Sequence, residues 1–82
     1  MSDTDFLLMI VREIVAHPDD ITIERTVDER GVLLLLKVHP MDMGYVVGKE
    51  GRTAQALRTL LNIVGAKANA KVSLKIYDPK QS

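Results

Sequence analysis

The sequence predicts an α+β fold: three strands in one sheet, with helices packed on one of its faces. Three observations lead there. Residues 71–77 alternate strictly, with Val72, Leu74 and Ile76 on one side and Lys71, Ser73 and Lys75 on the other. Residues 32–38 are apolar apart from Lys37. Two further segments repeat apolar residues at helical spacing. The resulting order is α-β-β-α-α-β, the first of the two consecutive helices being short. A chain of 82 residues is too short for a second core. Residues 1–82 are therefore read as one domain, with its core at about 4–77 and a flexible tail at 78–82.

Each element has a local reason. Phe6, Leu7, Ile10, Val11, Ile14 and Val15 form one broad helical stripe, with Asp3 or Thr4 expected to cap its start. His17 precedes Pro18, which disfavours helical geometry and ends the element. Ile21, Ile23 and Val27 read as a strand, and residues 28–31 supply a turn. The apolar run at 32–38 is expected to be a central strand buried on both faces. Pro40 stops it, and residues 41–47 suffice for one or two helical turns. Ala54, Leu57, Leu61, Val64 and Ala68 then mark a long helix that faces the core.

Composition removes several classes of function. There is no cysteine, so disulfides and thiolate metal sites are excluded. The apolar run at 6–11 follows acidic residues and is too short for a secretory signal, and no stretch approaches a membrane span. A cytoplasmic location without membrane attachment is expected. His17 and His39 each adjoin a proline, and neither belongs to a recognisable metal or catalytic set. No cofactor, small-molecule substrate or catalytic activity is expected. The formal net charge is zero, but its distribution is not even. Residues 1–30 hold eight acidic and three basic side chains, whereas residues 44–82 hold seven basic and two acidic ones. A locally basic face is compatible with a neutral total.

The segment "VVGKEGRTAQALR", residues 46–58, carries the functional signal. Gly48 and Gly51 allow positive φ and a close approach to bare backbone. The helix that follows offers unpaired N–H groups and a partial positive charge at its first turn, with Lys49 and Arg52 beside it. Together these suit a phosphate. A P-loop is excluded: that motif needs four residues between its glycines and a hydroxyl after the lysine. Here three residues separate Gly44 from Gly48, and Glu50 stands at the hydroxyl position. Val47, Ala54 and Leu57 are placed to floor an apolar groove beside the loop, and Arg58 either borders that groove or faces solvent. Lys71 and Lys75 form either a solvated face or an auxiliary phosphate track. With only Phe6, Tyr45 and Tyr77 aromatic, the chain lacks the base-stacking platform of an RRM or OB-type reader.

The stretch "HPMDMGYVVGKEGRTAQALRTLL" resembles the core of a KH domain, in which a GXXG loop joins two helices. The element order is similar to the type II, prokaryotic KH arrangement with its mixed sheet. The chain from about 4 to 77 resembles the small bacterial single-KH proteins of the KhpA group. That resemblance implies a non-enzymatic protein that binds single-stranded RNA in the cytoplasm, as a post-transcriptional regulator or RNA chaperone. It also implies pairing with a second copy or with a larger KH protein. Carried onto this sequence, Gly48, Lys49, Glu50 and Gly51 would clamp the sugar-phosphate chain of about four nucleotides. Arg52 would assist. Glu50 departs from what phosphate favours, so Lys49 must face the ligand and Glu50 must face away. Two alternatives stand beside this reading: a protein-interaction module, and a single-stranded DNA binder using the same loop.

Overall fold

A computed structural model describes residues 2–78. The expected tail therefore falls outside the described residues except for Asp78. Helix α1, Asp3–Ile14, begins where the Ser2 hydroxyl accepts the Asp5 N–H at 3.1 Å. The cap is thus Ser2, not Asp3 or Thr4. Asp3 instead accepts from the Thr4 N–H at 2.7 Å and from Arg25 Nε at 3.2 Å, tying the helix start to the first strand. The helix ends one turn before Pro18, and Val15 buries its side chain from outside it.

Strands β1, Thr22–Asp28, and β2, Gly31–Lys37, form an antiparallel hairpin. A one-turn 3-10 helix, Pro40–Asp42, leads into the short helix α2, Met43–Val47. A second 3-10 turn, Lys49–Gly51, joins it to α3, Arg52–Lys67. Strand β3, Val72–Ile76, then lies parallel to β2. The order β1-β2-β3 makes a mixed sheet with β2 in the centre, as a helical crossover between β2 and β3 requires.

Val32, Leu34 and Leu36 of β2 point into the core, where they cluster with Leu7 and Val11 of α1, Leu57 and Leu61 of α3, and Val72 and Leu74 of β3. Burying each large aliphatic contributes about 1.5–3 kcal/mol against leaving it exposed. The opposite face of β2 is not buried. Leu33 is 39% exposed and Leu35 is half-buried, because all three helices lie on one side of the sheet and nothing among the described residues covers the other. The expectation of burial on both faces is therefore corrected; a continuous apolar run records β2's central position only.

The two histidines have structural roles that depend on the tertiary fold. His17 and His39 lie far apart in sequence, yet their rings stack at 4.0 Å and 14°. His17 holds the carboxylate of Asp42, which is 1% exposed at the end of the 3-10 turn before α2, and the His39 carbonyl accepts the Asp42 N–H at 2.8 Å. Asp42 Oδ2 accepts from the His17 N–H at 2.9 Å and lies 3.1 Å from His17 Nδ1, while His39 Nδ1 accepts from the Met41 N–H at 3.0 Å. The end of α1 is thereby pinned to the start of α2. Burial pushes the Asp42 carboxyl up. Hydrogen bonds from the His17 backbone and ring, the Ala16 N–H and the charge of His17 outweigh it, holding the pKa below its ordinary 3.8.

A folded-state value below the unfolded one means the pair stabilises fully above about pH 4 and less as the pH falls through the folded value. Asp42→Asn should therefore lower the melting temperature at pH 7. The gap between variant and parent should close on acidification below about pH 4. Thermal melts followed by circular dichroism across pH 3–7 check both.

Candidate nucleic-acid interface

The turn between α2 and α3 is built from unusual backbone. Helix α2 ends with the Gly48 N–H on the Gly44 carbonyl at 2.9 Å. Gly48 then adopts φ 77, ψ 174, a region open only to glycine. A Cβ at Gly48 would also overlap the Thr53 side chain, so two independent constraints require glycine there. Gly51, at φ 75 and ψ 14, caps α3 in the left-handed region with open space around it. Between them Glu50 is left-handed as well, at φ 58 and ψ 24. The turn is consequently tight and exposes its outer surface.

Not every N–H expected to be free is free. The 3-10 geometry places the Gly51 N–H on the Gly48 carbonyl at 3.2 Å and the Arg52 N–H on the Lys49 carbonyl. Positive potential at this end of α3 therefore rests on the helix dipole and on side chains. Lys49 is exposed and forms no ion pair among the described residues. Glu50 Oε2 lies 3.5 Å from Arg52 Nη2. Both groups are largely in solvent, so this contact contributes about 0–1 kcal/mol and a stronger anion can displace it.

Of the aliphatics placed beside the turn, Val47 is partly buried against the core. Ala54 and Leu57 are closed off at 4% and 3% exposure, which makes a firm base rather than open walls. Tyr45 stands exposed on α2. Arg58 is placed by tertiary structure: its Nε donates to the Leu74 carbonyl of β3 at 3.3 Å. That carbonyl faces away from β2, since β3 meets β2 through the Lys71 carbonyl and the Tyr77 N–H at its two ends. Arg58 therefore ties α3 to the open edge of the sheet. Sequence reasoning had no means to find this contact, which spans sixteen positions. Lys71 and Lys75 are exposed, on the sheet face opposite the helices.

Similarity to known proteins agrees with this geometry. A family model described as the KhpA/KhpB KH domain matches residues 4–76. A Bacillus subtilis protein named RNA-binding protein KhpA is 42% identical over 74 residues, covering 90% of this chain and 91% of its own. A Chlamydia caviae protein of the same name is 40% identical over 76 residues, covering 93% and 97%. A Listeria monocytogenes one is 39% identical over 74 residues, covering 90% and 97%.

The two glycines should respond differently to substitution. Gly51→Ala incurs the left-handed penalty alone, about 1–2 kcal/mol. Gly48→Ala adds a clash with Thr53 and should cost about twice as much or more. Urea denaturation of the two variants measures the difference; equal losses would show that the close approach to Thr53 does not restrict Gly48.

Proposed function

This chain belongs to the KhpA/KhpB KH-domain family, and on that premise we propose that it binds single-stranded RNA without catalysing a reaction. The observation that carries the reading is the turn at 48–51. It offers side-chain-free backbone at Gly48 and Gly51, a cation at Lys49 without an ion-pair partner among the described residues, and the start of α3, all beside an open sheet edge. The names of the relatives favour RNA as the strand bound.

In this mechanism the sugar-phosphate chain lies over Gly48 and Gly51, and at Gly51, which has open space around it, a side chain would hold it away. Lys49 meets one phosphate. Arg52 meets another by exchanging Glu50 for it, which an exposed and weak pair permits. Bases of about four nucleotides turn toward Val47 and the edge of β3, above the firm base set by Ala54 and Leu57. Arg58 holds that edge in register. The backbone N–H and carbonyl groups of Ile76 point outward there and offer hydrogen bonds to base edges, giving little sequence discrimination. Such a protein suits a cytoplasmic RNA chaperone or post-transcriptional regulator.

A second reading adds to the first. Leu60 and Ile63 lie three positions apart on α3 and are 39% and 55% exposed. They suit contact with a second copy or another KH chain, and two linked sites would raise affinity through effective concentration. Ile63→Glu should then shift the mass found by light scattering from dimer to monomer and weaken binding to long RNA.

The loop itself is tested by changing Lys49 and Glu50 together to Asp. Asp tolerates the left-handed conformation at position 50, so circular dichroism and melting temperature should be retained while RNA binding is lost. With Lys49, Arg52 and one further cation on phosphate, log affinity should fall against log salt with a slope of roughly −2. Glu50→Gln releases Arg52 and should raise affinity several-fold. Unchanged binding by the double variant would exclude the loop as the site.

A further inference from the structure

The sheet face turned away from the helices has a composition that the loop-based mechanism leaves unused. Pairing places its residues in rows: Thr22 beside Lys37, Glu24 beside Leu35 and Lys75, Thr26 beside Leu33 and Ser73. Alternation along β3 puts Lys71 and Tyr77 on the same side. The charges are sorted across this face. On the β1 side each carboxylate has its own cation, with Glu24 Oε1 3.6 Å from Lys37 Nζ and Asp28 Oδ2 3.5 Å from Arg30 Nη2. On the β3 side Lys71 and Lys75 form no ion pair among the described residues.

Apolar surface accompanies the charge. Leu33 is 39% and Tyr77 38% exposed, and Lys37 Nζ sits 5.3 Å from the Tyr77 ring centroid. At the far end, Asp28, Arg30, Gly31, Leu33, Lys71 and Ser73 line a shallow pocket of about 340 Å³. Lys75 lies on β3 and Lys71 immediately before it, on the edge strand whose outward carbonyl Arg58 holds.

We propose that this face is a second contact surface for single-stranded RNA, running along β3 from Tyr77 past Lys75 to Lys71 and the pocket at Arg30. The inference rests on the RNA-binding reading above and extends it beyond four nucleotides. A strand leaving the groove crosses the edge of β3 and places phosphates on Lys75 and Lys71, about 13 Å apart along the strand. A base lies against Tyr77, whose ring tolerates any base. Pairing through α3 leaves this surface open, because α3 lies on the opposite face of the sheet.

The test compares oligouridylates of four and twelve nucleotides on the whole chain carrying Lys71→Gln and Lys75→Gln. Both side chains are exposed, so the fold should be unaffected, as circular dichroism verifies. Affinity for the four-mer should stay within about twofold, and affinity for the twelve-mer should fall about tenfold. The salt slope for the twelve-mer should become shallower by about 1.4, two phosphates' worth for a single strand. In the parent, amide resonances of residues 71–73, at the far end of β3 from the groove edge at Ile76, should shift with the twelve-mer and not with the four-mer, a readout that weak binding does not defeat. An unchanged twelve-mer affinity and slope would overturn the proposal. So would equal losses for both lengths, or amide shifts confined to the loop and the Ile76 edge, which would leave this face to a protein partner. The Lys49 and Glu50 double variant separates the two ideas: retained binding by that variant sinks the loop reading while leaving the sheet result interpretable by itself.

Discussion

The burial of one face of β2 is the constraint on which the other elements depend. Val32, Leu34 and Leu36 need apolar cover on that side, and Leu7, Val11, Leu57 and Leu61 supply it from two helices. A chain this size buries only about 60% of its unfolded surface, so it has no second layer to spend on the other face. The consequences reach the functional surfaces. With α3 held against the sheet, its first turn and the tight loop before it project at one end. The edge of β3 is left open alongside, and the reverse face of the sheet is left to solvent.

Within that frame the loop is shaped by sterics before electrostatics. Gly48 is confined by its own dihedral angles and by Thr53, and Glu50 and Gly51 complete the reversal in the left-handed region. Only after the backbone is so placed does charge matter. Lys49 has no ion-pair partner among the described residues, and Arg52 is held weakly by Glu50. In the proposed mechanism Glu50 would compete for Arg52 as well as repel phosphate, favouring ligands that bind Arg52 better than an exposed carboxylate does. The Asp42 carboxylate acts from further away, fixing the entry to α2 through His17 so that the turn starts from a defined position.

Much of this was legible in the residues. Element order and the glycine turn followed from periodicity and from proline and glycine placement, and the mixed sheet from the resemblance carried by residues 39–61. Other features were not legible, for specific reasons. Ser2 and Asp3 are both capable caps; Ser2 is the one used, while Asp3 meets Arg25, which β1 brings close from twenty-two positions away. Arg58 reads as one more helix cation until β3 folds back beside it. An all-apolar run such as 32–38 does not distinguish a strand covered on both faces from one covered on a single face.

By itself, the sequence determined the identity and order of the elements and the position of the turn, because those depend on interactions between residues a few places apart. Tertiary structure alone decided which groups became partners across the chain. The stacked His17 and His39 around Asp42, the Arg58 bond to Leu74, and the sorting of paired and unpaired cations across the outer face all arise from strand register and helix docking. Those are properties of the packed core, and no local pattern encodes them.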